Sequence, residues 1–141
     1  MAGGASSAPT SVSTPTSVIV QDYATLVAAL TAAGATVQPG QEHPPSSIFD
    51  APSHDLLVNG SALLGVYEYA TAAAAMTEAG CFHGGDKQCP GEQGGSTIDY
   101  AAPPHLYLAG RILVLYVGTT ATTLQLLASV LGPPVDEGHW S

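Results

Sequence analysis

The feature that most constrains the fold is a pair of glycine turns, each lying between two short apolar runs. Asn59-Gly60 lies inside the run 54–69, and Ala109-Gly110 separates the runs 106–108 and 111–117. Asn-Gly is typical of a tight primed turn, because both central residues accept a positive φ. The two runs therefore predict two β-hairpins. The last run, RILVLYV, is apolar on both faces and partly β-branched, which indicates a central strand.

The two hairpins form a weak internal repeat. A shift of 50 positions aligns Leu56 with Leu106, Gly60 with Gly110 and Leu63 with Leu113. A helical pattern follows each hairpin and another precedes both, so we expect a pseudo-twofold ββα-ββα arrangement plus an N-terminal helix. Chance similarity between two hairpins is the alternative. The predicted fold class is α+β: an antiparallel sheet of about four to six strands, with two or three helices packed on one face to bury their apolar stripes.

Three helices are predicted from apolar spacing and from the residues at their ends. The first follows Asp22, a good N-cap residue, and the second covers 72–79 after Thr71. The last follows Thr119 or Thr120 and ends at a Gly-Pro-Pro sequence. Its expected buried face consists of Leu124, Leu127, Ala128 and Leu131.

Composition divides the chain into three parts. Residues 1–18 carry no charge and show no apolar periodicity, so they predict a flexible tether rich in Ser, Thr, Pro, Gly and Ala; a tail without a role is the alternative. Residues 19–135 form a single predicted α+β domain, and 136–141 a short tail. Within the domain, turn residues at 39–45 predict a loop, and the glycine-rich segment 81–96 predicts a long one.

The charge balance excludes several classes of partner. The chain has 2 basic residues, Lys87 and Arg111, against 11 acidic ones, for a net charge of -9. Nucleic acids and anionic membrane surfaces require clustered basic residues, so neither is expected as a partner. No apolar run approaches the roughly 20 residues of a transmembrane helix, so no transmembrane segment is expected. Neither glycine-rich phosphate-binding motif occurs, and no cofactor is expected.

One segment resembles a known group of proteins. PPHLYLAGRILVLYVG, followed by a helix and LLASVLGPP, resembles a group of bacterial exported proteins without established activity, many of them lipoproteins. AAGATV at 32–37 and VNGSALLGVYEYATAAAA at 58–75 fit the same pattern. The resemblance extends over about 23–134. It implies an extracytoplasmic location (secreted, periplasmic or tethered at the cell surface) and a lipid anchor upstream that has been removed, and it supplies no catalytic residues.

Cys81 and Cys89 are the only two cysteines, and both lie in the glycine-rich loop. An even number of cysteines in an exported protein predicts a disulfide, which would hold the residues between them as a compact excursion. The alternative is a thiolate metal site with His83. That site would need two further ligands and a reducing compartment.

The last hairpin supplies the candidate ligand-binding residues His105, Asp99, Arg111 and Tyr107. A carboxylate beside His105 suits acid–base chemistry, but no Gly-x-Ser-x-Gly motif supplies a nucleophile, so a structural hydrogen-bonding role is the ordinary expectation. Arg111 is expected to pair with Glu68 or Asp99; the alternative is that it binds a ligand carboxylate. No residue is assigned as catalytic.

These observations favour a non-enzymatic exported binding or interaction domain on a flexible tether, with a protein or a small molecule as its partner. Two alternatives stay open. The first is an extracytoplasmic metal-binding protein that uses the loop residues His43, His54, His83 and Asp86. The second is a small hydrolase centred on His105. A structural role in a surface layer is a further alternative.

Overall fold

The two predicted hairpins lie at the centre of a six-stranded antiparallel sheet. The computed structural model describes residues 19–46, 49–84, 86–89, 98 and 100–137. Its strands are β1 (Val37–His43), β2 (Ser53–Val58), β3 (Ala62–Glu68), β4 (Phe82–His83), β5 (Asp86–Lys87), β6 (Pro104–Ala109), β7 (Ile112–Val117) and β8 (Asp136–Glu137). Its helices are α1 (Tyr23–Ala32), α2 (Ala72–Ala79) and α3 (Ala121–Leu131). The sheet order is β1-β2-β3-β7-β6-β8, and β4 pairs with β5 separately, which confirms the α+β class.

Both glycine turns form as predicted. Asn59 and Gly60 have φ of 53° and 72°, and Gly110 has φ of 55°. Positive φ at these positions lets the strands reverse direction without losing their twist. β7 lies between β3 and β6, with Val114 opposite Val66. The central position predicted for the RILVLYV run is therefore confirmed.

The internal repeat is visible in the strands, but the helices do not continue it. The order β2-β3-β7-β6 places the second strands of both hairpins side by side, as a pseudo-twofold axis requires. The first hairpin has one more residue between its paired strand ends than the second. Because one residue reverses the alternation of side chains, Leu56 and Leu106, which the repeat aligns, lie on opposite faces of the sheet.

Helices cover both faces of the sheet. α1 and α3 pack on one face, where Leu26, Leu30 and Leu127 join a first core cluster. α2 packs on the opposite face, where Ala75 and Leu113 belong to a second core cluster. Two helices on one face match the prediction. The third lies on the other face because β7 is apolar on both sides and requires cover on each.

Hydrogen bonds at the first turn fix the starts of two helices. Asp22 Oδ1 accepts from the Thr25 backbone N–H at 2.9 Å, and the Thr25 side chain bonds back to complete a capping box. Thr71 Oγ1 accepts from the Ala74 backbone N–H at 3.0 Å and begins α2. Thr120 precedes α3, but its side chain makes no capping hydrogen bond. The sequence patterns therefore predicted where all three helices begin, but a side-chain hydrogen bond caps only α1 and α2.

The segment predicted as a loop at 39–45 contains most of the outer strand β1, so that prediction is wrong. β1 pairs only with β2, and its register shifts between Pro39 and Glu42 as at a β-bulge. Pro39 and Gly40 are tolerated there because an edge strand leaves one row of backbone groups unpaired. The proline and glycine that predicted a loop therefore belong to an irregular edge strand.

The C-terminal part of the fold differs from prediction at two points. Asp136 and Glu137, assigned to the tail, form β8 and pair with β6, so the fold continues beyond 135. Ala128, expected on the buried face of α3, is exposed, whereas Thr123 is buried with Leu127. The tether predicted at 1–18 and the tail residues 138–141 lie outside the described residues.

Candidate functional site

A cleft of about 750 Å³ opens beside α2 and the disulfide-closed loop that follows it. Its lining combines small or apolar groups with a few polar ones. We call it the Glu78 cleft. It is lined by Asp50, Tyr69, Ala74, Met76, Thr77 and Glu78 and by the Cys81–Cys89 pair.

Glu78 is a buried carboxylate at this cleft. Its Oε1 accepts from the Tyr69 hydroxyl at 2.9 Å and from the Asp50 backbone N–H at 2.6 Å. Its Oε2 lies 3.1 Å from Lys87 Nζ. The Glu78 and Lys87 side chains are only 4% and 10% exposed, so this ion pair is almost dry. A carboxylate is tolerated at such depth only when it is paired and hydrogen-bonded, and here three donors satisfy it.

The disulfide predicted between Cys81 and Cys89 is present, and each cysteine lies close in sequence to one member of the buried ion pair. Glu78 precedes the first cysteine by three positions and Lys87 precedes the second by two. Between the two cysteines, β4 and β5 form a short antiparallel pair in which Phe82 lies opposite Lys87. The bridge therefore holds the Lys87 ammonium within reach of the carboxylate.

The pKa values of two tyrosines near the second core cluster are raised. Burial, the hydrogen bond to Glu78 and the negative charges of Glu78 and Asp50 raise the pKa of Tyr69 far above its usual 10. Burial and nearby aspartates raise the pKa of Tyr100 to about 12. The Tyr69 hydroxyl therefore remains a donor at neutral pH.

Glu78, Cys81 and Cys89 offer ligand atoms within 4.8 Å of one another. The two sulfurs are bonded to each other, so neither is a thiolate, the form of cysteine that binds metals and attacks electrophiles. Both Glu78 oxygens already accept hydrogen bonds. In its oxidised state this group is therefore a structural unit beside the cleft.

The four residues of the metal-binding alternative are divided between the two sheets. His43 on β1 bonds to Asp55 at 2.9 Å, and His54 on β2 lies 3.6 Å from a carboxylate of β1. His83 and Asp86 face each other in the small sheet formed by β4 and β5. Within the part of the chain that the structure describes, these four do not form a common group of metal ligands.

His105 is buried at the start of β6 and is held at both ring nitrogens. Nδ1 lies 2.7 Å from Glu137 Oε2, and Nε2 lies 2.9 Å from the Gly118 carbonyl oxygen. Both partners are acceptors, so both bonds form only when both nitrogens carry hydrogen. The ring connects β8 and the end of β7 to β6. This geometry is that of a structural residue.

Arg111 is not brought together with His105. Arg111 lies beyond the opposite end of β6, where its Nη2 is 3.3 Å from Glu68 Oε2, one of the two pairs expected for it. A hollow of about 250 Å³ adjoins Arg111, but the guanidinium is already paired there. Tyr107 is 2% exposed in the first core cluster. Asp99 lies outside the described residues.

The Glu78 cleft was not predicted from the sequence. Asp50, Tyr69, Glu78 and Lys87 come from a loop, the end of β3, α2 and β5, so no local motif joins them. One signal was available: Lys87 is the only lysine, and it lies between the two cysteines of an acidic chain. A lysine placed there indicates a specific carboxylate partner nearby.

Comparisons with protein-family models, with curated proteins and with solved structures find no match for this chain. Among the residues placed by the structure, no helix combines the length and apolar character needed to cross a bilayer. What the protein does must therefore be inferred from its own residues and their geometry.

Proposed function

We propose that the protein is a non-enzymatic binding domain that acts outside the cytoplasm and takes its ligand in the Glu78 cleft. The observation that carries this proposal is the cleft itself, about 750 Å³ of open space beside a nearly dry ion pair. Ligand sites in proteins are concave and mostly apolar, with a few fixed polar groups that orient the ligand. The Glu78 cleft has this character, and its size suits a small molecule or a side chain of a protein partner.

Pre-organised walls support binding. The disulfide fixes one side, and the donors to Glu78 fix the position of the carboxylate. The cap at Thr71 secures the start of α2, which forms another side. A site that is ordered before its ligand arrives loses less entropy on binding.

The bonds made by the histidine, tyrosine and cysteine side chains support binding without catalysis. Both nitrogens of His105 are engaged in structural hydrogen bonds, and the Tyr69 hydroxyl is bonded to Glu78. Cys81 and Cys89 are bonded to each other. A nucleophile or a general base must be free to react with a substrate, and these groups are engaged in bonds within the fold.

An extracytoplasmic location is part of the proposal. Disulfides persist in oxidising compartments and are rare in the cytosol, and Cys81–Cys89 is such a bond. The resemblance to bacterial exported lipoproteins supports the same location. In this proposal residues 1–18 serve as a tether between an upstream anchor and the binding domain.

The proposed function is tested with a fragment screen by ligand-observed NMR on the oxidised full chain. Ala74→Trp should weaken or abolish the binding of fragments that occupy the cleft, because an indole at this position takes up part of its volume. Ala24→Trp is the matched control, since Ala24 is an exposed alanine on α1, the helix that covers the other face. Fragments lost with Ala74→Trp and kept with Ala24→Trp support the proposal. A screen without cleft binders, or binders that both variants retain, contradicts it.

A further inference from the structure

We infer that the Glu78 cleft selects ligands that carry an ammonium head on a short apolar body, an inference that rests on the proposed function. The head group would lie between Asp50 and Glu78, and the body along Met76 and Ala74. The inference follows from the charges at the cleft, the remaining hydrogen-bonding capacity of Glu78 and the character of the walls.

The charges at the cleft exclude an anionic ligand. The chain has two Lys or Arg residues in all, and both are in ion pairs: Lys87 with Glu78, and Arg111 with Glu68. Lys87 neutralises Glu78, which leaves the exposed Asp50 carboxylate to set the sign of the potential at the cleft. A carboxylate or phosphate ligand would meet a negative charge without a cation to offset it. A cationic ligand would supply the missing positive charge.

Glu78 retains capacity for one more donor. A carboxylate offers about four acceptor positions, two on each oxygen. Three are used, by the Tyr69 hydroxyl, the Asp50 backbone N–H and Lys87 Nζ. The fourth lies on Oε2, the oxygen that already accepts an ammonium at 3.1 Å. A ligand ammonium at this position would share Oε2 with the Lys87 ammonium, so the Asp50 carboxylate must supply the compensating negative charge.

The remaining wall suits an apolar body. Met76 is 61% exposed at the cleft, although it is a large apolar side chain. Ala74, Gly80 and the disulfide extend this apolar surface. Met adapts its shape to different ligands because its side chain is unbranched and flexible. The combination of an exposed carboxylate, Asp50, and a flexible apolar side chain, Met76, in one cleft matches an alkylammonium.

The test compares three molecules of similar size on the oxidised full chain: n-butylammonium, butyrate and butan-1-ol. Amide chemical shifts in ¹⁵N NMR titrations report binding and its location. We expect n-butylammonium to bind most tightly and to shift the amides of Asp50, Tyr69 and Thr77. Asp50→Asn should weaken n-butylammonium binding about fivefold, the usual order for a solvent-accessible ion pair. Glu42→Gln removes the same charge from exposed β1 and should leave the affinity unchanged.

The result that overturns the inference is n-butylammonium binding no tighter than butan-1-ol or butyrate, or binding that Asp50→Asn leaves unchanged. Equal weakening by Asp50→Asn and Glu42→Gln would also overturn it, since net charge alone would then explain the effect. These failures are distinct from failure of the proposed function. Neutral or anionic fragments that Ala74→Trp displaces would preserve the binding domain and remove only the ammonium preference.

Discussion

Gly60 and Gly110 meet the same backbone requirement in different surroundings. Both have positive φ, 72° and 55°. A Cβ on Gly60 would have no neighbour within 4 Å, whereas one on Gly110 would overlap the backbone of Gln21. The next residue, Arg111, also donates its backbone N–H to the Gln21 carbonyl at 2.9 Å. The second turn therefore supports the segment that leads into α1.

We expect Gly60→Ala to lower the free energy of unfolding by about 1–2 kcal/mol, the cost of an L-residue in the left-handed region. Gly110→Ala should cost at least about 1 kcal/mol more, because the added methyl group must displace the Gln21 backbone. Equilibrium urea unfolding of the two variants measures the difference. Equal losses would mean that the contact between the turn and Gln21 does not constrain the fold.

Residue-scale prediction from the sequence succeeded where a role depends on near neighbours. Asn59-Gly60 formed its turn, and the cysteine pair formed its disulfide. The burial of Glu78 was out of reach, since its partners Tyr69 and Lys87 are brought to it by the packing of separate elements. From the sequence alone, a carboxylate on an alanine-rich helix is predicted to be solvent-exposed, because the segment that covers it is not adjacent in sequence.

Among the elements, α2 and α3 begin in different ways although a threonine precedes each. Thr71 closes the first turn of α2 through its hydroxyl, at 3.0 Å from the Ala74 nitrogen. Thr120 makes no such bond. A helix whose first N–H groups lack side-chain acceptors depends more on packing for its stability. For α3, that packing comes from residues such as Leu127 in the first core cluster.

Thr71→Ala should therefore destabilise the protein by about 1 kcal/mol, the usual cost of losing an N-cap hydrogen bond. Thr120→Ala should leave the free energy of unfolding nearly unchanged, since no capping bond is lost. Chemical denaturation of both variants beside the wild type provides the measurement. A large loss for Thr120→Ala, or none for Thr71→Ala, would contradict this account of the helix starts.

Most elements could be predicted because their signals are local: apolar spacing for the helices and glycine turns for the hairpins. β1 could not, because Pro39 and Gly40 carry the same signal in a loop and in an irregular edge strand. The face on which α2 packs was also out of reach. The apolar character of β7 on both faces, which is visible in the sequence, requires cover on each side, but only the packing of the assembled sheet decides which helix covers the second face.

For the whole molecule, the burial of phenol groups makes the free energy of unfolding decrease at alkaline pH. Burial is the largest cause that raises the pKa of five tyrosines, namely Tyr23, Tyr67, Tyr69, Tyr100 and Tyr107. A raised pKa means that the folded state holds the phenol proton more tightly than the unfolded chain does. The resulting stability is complete below the unfolded value of 10 and is lost as the pH rises through the folded values.

We expect the free energy of unfolding to fall as the pH rises from 10 to about 12, the folded value of Tyr100. Urea unfolding at increasing pH, with phenolate absorbance followed in parallel, tests this. Tyr69→Phe should cost about 2 kcal/mol at neutral pH, because it removes a hydrogen bond to a carboxylate, and its stability should then depend less on pH. If the phenol groups of the folded protein titrated with the ordinary tyrosine pKa, the proposed dependence of stability on tyrosine burial would be refuted.

The irregular outer strand affects how copies of this chain behave beside one another. Many sheet proteins discourage intermolecular strand pairing with lysines along their borders, an option that a chain with a single lysine lacks. In β1, Pro39 cannot donate to a neighbouring chain, and the bulge between Pro39 and Glu42 interrupts the row of groups that a second sheet would need. The backbone shape of β1 therefore disfavours strand pairing between copies along this border, where positive charge is scarce.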